Sequence, residues 1–286
     1  MADNSTEAGI KIKSKMLIGI NYLLLAIIGI IILVPILIVF LASFKSDAEY
    51  VYSGIFQLPQ SFSNIENYIT VITKGKFLLA YKNTVLLILI SNIGSILMGS
   101  MLAYIFSRFE FHFKKTILVC FLITSAVPQV TTQVATFTVI KNLHLYNTIF
   151  AGIALYLAAS VLSIYIFMQF IEKVPVDLDE SALVDGASYF RIFSTIILPQ
   201  LKPAIATVFI IKTLEIYNDM LTPYLYMPKS TLKTVTTALL QFSYDRNSQW
   251  NVMAAGIIAA VIPTILLYLY LQRYIIAGLT EGAVKT

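Results

Sequence analysis

Charged side chains are sparse in this 286-residue chain, so those that fall inside apolar sequence stand out. Lys212 and Glu215 lie three residues apart within the apolar run 203–221. That spacing puts both on one helix face. Ionised groups inside a membrane are costly unless they face each other or a cavity. Two readings follow: a mutual ion pair that locks the helix, or a polar lining for a solute pathway. A second cluster, Gln129, Thr131, Thr132, Gln133 and Thr136, brings amides and hydroxyls into the run 116–140. Tyr217, Asn218 and Tyr224 add aromatic faces and hydrogen-bonding groups at the end of 203–221.

None of these groups forms a catalytic set. The two histidines, His112 and His144, fall in polar connections and read as solvated loop residues. There is no His-Glu-x-x-His pattern and no converging Ser/His/Asp set, so neither catalytic nor metal-ligating residues are expected. The Gly75-Lys76 dipeptide is followed by Phe77, which excludes a phosphate-binding loop. The single cysteine, Cys120, sits in an apolar run and reads as a small packing residue.

The elements that position these residues are set by composition. The chain is 58% hydrophobic and 12% charged, with a mean hydropathy of +0.82. A soluble domain is about 45–50% apolar and about 25% charged. The excess demands lipid. Six stretches are long enough to cross a bilayer, at about 16–42, 81–106, 116–140, 148–171, 203–221 and 252–276. They are too long and too uniformly apolar for membrane β-strands. The predicted fold is an all-α membrane protein of six transmembrane helices, read as a single domain over 1–286. The first run has an uncharged core at 23–40, longer than a cleaved signal's apolar region, and reads as a retained anchor.

Lys11, Lys13 and Lys15 precede the first span, and Arg108, Lys114 and Lys115 follow the second. Short-loop positive charge favours the cytoplasmic side, which places both termini in the cytoplasm of a multi-pass protein. The net charge of +5 is thus topological. No basic stripe with interleaved aromatics suggests nucleic-acid binding. Pro35, Pro128 and Pro263 are expected to kink their spans, as packing features or as hinges. Ser91, Ser95, Gly99 and Ala103 form a small-residue stripe at four-residue spacing, and Ala255, Gly256, Ala259 and Ala260 a similar one. Both allow close helix approach, within the chain or against a second subunit.

The longest cytoplasmic connection, 172–202, exceeds what neighbouring helices need. Pro175 breaks the incoming helix. Asp177 and Glu180 have N-cap and N3 spacing, Gly186 suits a left-handed stop, and Ser188 caps a second short helix ending near Pro199. The prediction is two short helices meeting at Gly186. Ser181, Ala182, Gly186 and Ala187 are small enough for close docking into another protein, with Tyr189, Phe190 and Phe193 as apolar anchors.

Glu180-Ser181-Ala182, three residues, Gly186, nine residues and Ile196-x-Leu198-Pro199 resemble the EAA loop of permease subunits of binding-protein-dependent ABC importers. Ser181 replaces the pattern's Ala, another small residue. Asn83-Thr84, Leu102-Ala103-Tyr104, Ser107-Arg108-Phe109 and Val127-Pro128-Gln129-Val130 are similar to the maltose-type carbohydrate branch, as are 143–148, Gln272-Arg273-Tyr274 and 278–285. Tyr217-Asn218-Asp219 stands where that branch often has Trp-Asn and an acidic residue.

The resemblance implies a type I importer permease fold in the plasma (inner) membrane of a prokaryote. It also implies a second homologous permease, two ATPase subunits that bind ATP and Mg, and an extracytoplasmic sugar-binding protein. No cofactor would be bound by this chain itself. Glu180, Ser181, Ala182, Asp185, Gly186, Ala187 and Phe190 would couple to the ATPase, with Asp185 offered to its basic groups. Gln129, Thr132, Gln133, Lys212, Glu215, Tyr217 and Asn218 would line a pathway for a carbohydrate, presumed in that branch to be an oligosaccharide. A non-sugar ABC substrate stays open as an alternative, as does a secondary transporter. The latter would need coupling carboxylates at the midplane, where only Glu215 qualifies.

Overall fold

A computed structural model describes residues 3–243 and 249–283, with side-chain surroundings described for 18–128, 130–243 and 249–270. The C-terminal signature beyond residue 270 therefore lies outside the described side chains, as does that of Gln129. Every regular element among the described residues is helical.

Among the described residues, three helices are long and apolar enough to span a membrane by themselves: α1 (Asp3–Ser43), α4 (Phe77–Arg108) and α15 (Trp250–Ala283). Pro35 and Pro263 sit inside α1 and α15, which run on through them. The remaining expected spans are built from paired or shorter helices. α5 (Lys114–Ala126) and α6 (Gln129–Asn142) replace one kinked helix at 116–140. Pro128 ends the helix rather than bending it, because the residue before a proline is forced extended; Val127 has φ −77° and ψ 121°.

α7 (Ile149–Leu157) and α8 (Val161–Ile171) meet at 46° across Ala158-Ala159, a break no proline signals. Ser160 caps α8 by accepting the Ser163 amide at 3.1 Å, and Ser95 donates to the Ala158 carbonyl at 3.2 Å. Side-chain hydroxyls thus supply the bonds that the interrupted backbone gives up. The fifth span is α12 (Lys202–Asn218), which ends before the expected residue 221.

Backbone packing divides the chain into two compact units. The first, Met1–Lys74 with Phe242–Val261, holds α2 (Asp47–Tyr52), α3 (Glu66–Thr73), all of α1 and the first turns of α15. The chain leaving α1 is held by two asparagines, which serve the Ser43 and Lys45 carbonyls. Asn67 Nδ2 donates to Ser43 O at 2.9 Å and Lys45 O at 2.8 Å, and Asn251 Nδ2 donates to Lys45 O at 3.1 Å. The apolar side chains of α1 between Ile18 and Leu37 are largely exposed within the chain, as a lipid-facing helix requires.

The second unit, Gly75–Gln241 with Ile262–Thr286, is organised on α4. The stripe Ser91, Ser95, Gly99 and Ala103 is buried within this unit. A Cβ on Gly99 would lie 3.3 Å from Ala159 Cβ, so for this stripe intrachain packing is what the structure realises. At one end of α4, Leu87 and Ile88 pack with Ala151, Ile216 and Tyr226. At the other, Ala103 and Tyr104 pack with Phe167, Ile171, Ile192, Ile197, Leu201 and Val208.

The segment after α12, expected as an outside loop, is folded into α13 (Leu221–Tyr226), a short turn at Ser230–Leu232 and α14 (Val235–Leu240). Asn83 Nδ2 donates to Thr231 O at 2.9 Å and Lys233 O at 3.0 Å. The Val235 amide donates to Thr84 Oγ1 at 3.1 Å. The Asn83-Thr84 pair is a clamp on that segment. Cys120, expected to pack, is exposed on α5.

Candidate functional site

The connection 172–202 forms a bent, internally hydrogen-bonded element. α9 (Asp177–Val184) follows Pro175, but Asp177 is its first helical residue rather than its N-cap. Val176 holds the cap position with no side-chain bond, and its carbonyl accepts the Asp179 amide at 2.9 Å and the Glu180 amide at 3.1 Å. Asp177, Asp179 and Glu180 fill the first turn, where the helix dipole favours carboxylates.

α9 ends where Gly186 adopts φ +79°. The Ala187 amide donates to Ala182 O at 2.9 Å and the Gly186 amide to Leu183 O at 3.0 Å. These two bonds are a Schellman closure, which requires a left-handed residue at that point. No atom lies within 4 Å of a Cβ built on Gly186, so conformation and not space selects glycine within this chain. Ser188 then caps α10 (Tyr189–Ile192) by accepting the Arg191 amide at 3.3 Å. A wide turn over Phe193–Ile197 and α11 (Leu198–Gln200) continue the second arm, which meets α12 at 77°.

The apex of this bend is exposed. Glu180, Ser181, Asp185 and Gly186 are exposed, and Ala182 and Ala187 are half-buried where the turn closes on itself. Val184 is 88% and Phe190 68% exposed, an unusual pair of apolar side chains to leave beside a turn. Tyr189 is also exposed, whereas Phe193, expected as a third anchor, is buried among Tyr104, Ile197 and Leu201. The wide turn beginning at Phe193 rotates it inward. Ser181 Oγ donates to the Asp177 carbonyl at 2.7 Å, so its hydroxyl is satisfied within α9.

A joint that the sequence did not suggest fixes this element to α4. Arg108 Nε lies 3.0 Å from Asp179 Oδ2, and Arg108 NH2 donates to the Val174 carbonyl at 2.6 Å. Tyr104 OH donates to the same carboxylate oxygen at 3.4 Å. The neighbouring Phe109 ring meets Tyr189 edge-on at 5.0 Å, and the Tyr104 ring lies 5.7 Å from Phe193. The last turn of α4 therefore grips both arms. In sequence Arg108 reads as a topology charge and Asp179 as one of several acids at a helix start. The one hint was Ser107-Arg108-Phe109 as a resemblance.

The expected pathway residues fall into separate places. Lys212 Nζ lies 3.4 Å from both carboxylate oxygens of Glu215. The ion pair is realised, with the lysine side chain 6% and the glutamate 53% exposed. Asn218, the last residue of α12, is exposed. Tyr217 is hydrogen-bonded with Tyr81 and Thr264. It borders a cavity of about 210 Å³ walled by Val85, Phe209, Pro263 and Leu267. Thr132 is exposed on α6. Gln133 accepts from Tyr226 OH through its side-chain oxygen at 2.5 Å, which ties α6 to α13 rather than to the Lys212 pair. Burial pushes the Tyr226 phenol above its ordinary range, partly offset by a bond with Thr136, so it stays a neutral donor.

Residues 95–281 match the family described as "Binding-protein-dependent transport system inner membrane component". The chain is 30% identical over 268 residues to the melibiose/raffinose/stachyose import permease protein of Bacillus subtilis (strain 168), covering 92% of this chain and 95% of that one. It is 30% identical over 280 residues to the trehalose/maltose transport system permease protein of Thermococcus litoralis, at 96% and 98% coverage. It is 29% identical to the galactooligosaccharides transport system permease protein of Bacillus subtilis, at 97% and 99% coverage. A crystal structure of a bacterial ABC transporter importing the acidic polysaccharide alginate shares the fold, with a TM-score of 0.80 at 23% identity over 91% of this chain and 97% of that one.

Proposed function

This chain belongs to the binding-protein-dependent transport system inner membrane components, a family of multi-pass transport subunits and not enzymes, and from that premise we propose that it carries an oligosaccharide into a prokaryotic cell. The sugar relatives over nearly the whole chain support this substrate class. Its partners in this reading are an extracytoplasmic sugar-binding protein, a second homologous permease and two ATPases that supply ATP and Mg. Both termini face the cytoplasm, as the Lys and Arg of the short loops favour.

The observation that carries the mechanism is the exposed α9–α10 bend anchored to α4 through Arg108 and Asp179. Val184, Phe190 and the Gly186 turn form the surface that seats in an ATPase cleft, with Glu180, Ser181, Ala182, Asp185 and Ala187 around them. When ATP closes the ATPases, α9 moves and α4 moves with it, because a buried ion pair resists separation. The second arm carries the same displacement into α12, whose Lys212–Glu215 pair, Tyr217 and Asn218 then change their exposure to the solute. Thr132, exposed on α6, supplies a neutral hydroxyl to that path. The two outcomes, inward and outward facing, are states selected by differential contacts.

The test joins purification to uptake. A tagged chain is expected to bring down one further permease and an ATPase, and its deletion to abolish ATP-dependent uptake of a radiolabelled α-galactoside or maltooligosaccharide. Copurification without any oligosaccharide uptake would reject the sugar assignment, and uptake indifferent to ATP depletion would reject the coupling.

A further inference from the structure

Lys45 is an ammonium held out of water, and no carboxylate among the described residues lies within 4 Å of it. The residue is 3% exposed, and Nζ donates to Ser53 Oγ at 2.8 Å and to the Gly54 carbonyl at 2.9 Å. An ammonium has three donors. The ion pairs among the described residues do not include Lys45. A buried cation served only by neutral acceptors retains a charge that an anion would balance.

This cation lines a cavity of about 430 Å³. Ile38 from α1 and Met253 and Ile257 from α15 form apolar walls, and Tyr50 and Trp250 border it as well. Trp250 is 48% exposed. Tyrosine and tryptophan at the end of apolar helices mark the membrane–water boundary. Ile38 lies five residues inside the end of α1 at Ser43, roughly 8 Å along the helix at 1.5 Å per residue. A cation at the boundary with apolar helix walls leading into the membrane matches a phospholipid, with phosphate at one end and an acyl chain below it.

We propose that Lys45 binds the phosphate of an anionic phospholipid whose acyl chain lies along Ile38 and Ile257. The importer reading enters only in assigning this lipid to the outer leaflet. Charge complementarity and continuity of the walls with two spans favour this occupant over a soluble anion.

The full chain, with the subunits that copurify, is delipidated in detergent and titrated with phosphatidylglycerol or phosphatidylcholine under native mass spectrometry. Wild type is expected to retain one phosphatidylglycerol that Lys45→Met binds roughly tenfold more weakly, the effect of one charged hydrogen bond. Lys45→Arg should retain it. Ile257→Trp, which fills the groove and leaves the cation in place, should lose it, so the result does not depend on Lys45→Met folding. Equal phosphatidylglycerol retention by wild type and Ile257→Trp would overturn the proposal, as would equal retention of phosphatidylcholine. Displacement of the lipid by excess inorganic phosphate would assign the site to a free anion and overturn it too. Lipid retention is read without any sugar, so a wrong substrate class would leave this result standing.

Discussion

Arg108 and Asp179, 71 residues apart in sequence, form an ion pair at 3.0 Å with side chains 9% and 8% exposed. It is the one buried connection between a full-length apolar helix and the first arm of the 172–202 bend that an ion pair makes among the described residues. Removing one member of such a pair strands a buried charge, at about 3–5 kcal/mol.

Asp179→Asn should therefore lower uptake severely while leaving ATPase copurification in place. The informative readout is the number of sugars moved per ATP, which should fall. Reversal of the pair, Arg108→Asp with Asp179→Arg, should recover part of that ratio. An unchanged ratio in Asp179→Asn would show that α4 is not driven through this joint.

Gly186→Pro should uncouple uptake from hydrolysis without preventing membrane insertion. Proline cannot adopt φ +79°, and it removes the amide that donates to Leu183 O. Gly186→Ala should give a milder loss, since a left-handed non-glycine residue costs about 1–2 kcal/mol. Normal sugar uptake by Gly186→Pro would refute a docking role for the turn.

Within α12, Glu215→Gln leaves the buried Lys212 ammonium without its carboxylate, 3.4 Å away in wild type. Thermal unfolding in detergent should show this variant less stable than the double variant Lys212→Met/Glu215→Gln. Additive losses would mean that the two charges are not coupled.

Tyr226→Phe should lower stability by about 1 kcal/mol, the net worth of one hydrogen bond, because its hydroxyl donates to Gln133. If Gln133 acts only as a strut, Gln133→Ala should match that loss and leave the KM for sugar unchanged. A raised KM would return Gln133 to the pathway.

The legible part of this molecule is local. Apolar runs of about 20 residues announce membrane spans because lipid leaves the backbone no other partner. Gly186 and Ser188 announced the bend because a left-handed turn and an N-cap are choices made within a few residues. Asp177 was misplaced by one residue as a cap, since the helix can open one residue earlier wherever backbone carbonyls serve its amides.

What the tertiary structure decided lies between residues far apart in sequence. Arg108 found Asp179 across 71 residues, Tyr226 found Gln133 across 93, and Phe193 turned inward against Tyr104. Sequence spacing specifies which face of a helix a side chain occupies, but not which helix that face will meet. The amino-acid sequence by itself determined the membrane class, the apolar runs and the bend at Gly186. Helix packing alone chose the partners, because a charged or aromatic side chain is stabilised only by the particular neighbour that burial brings within reach.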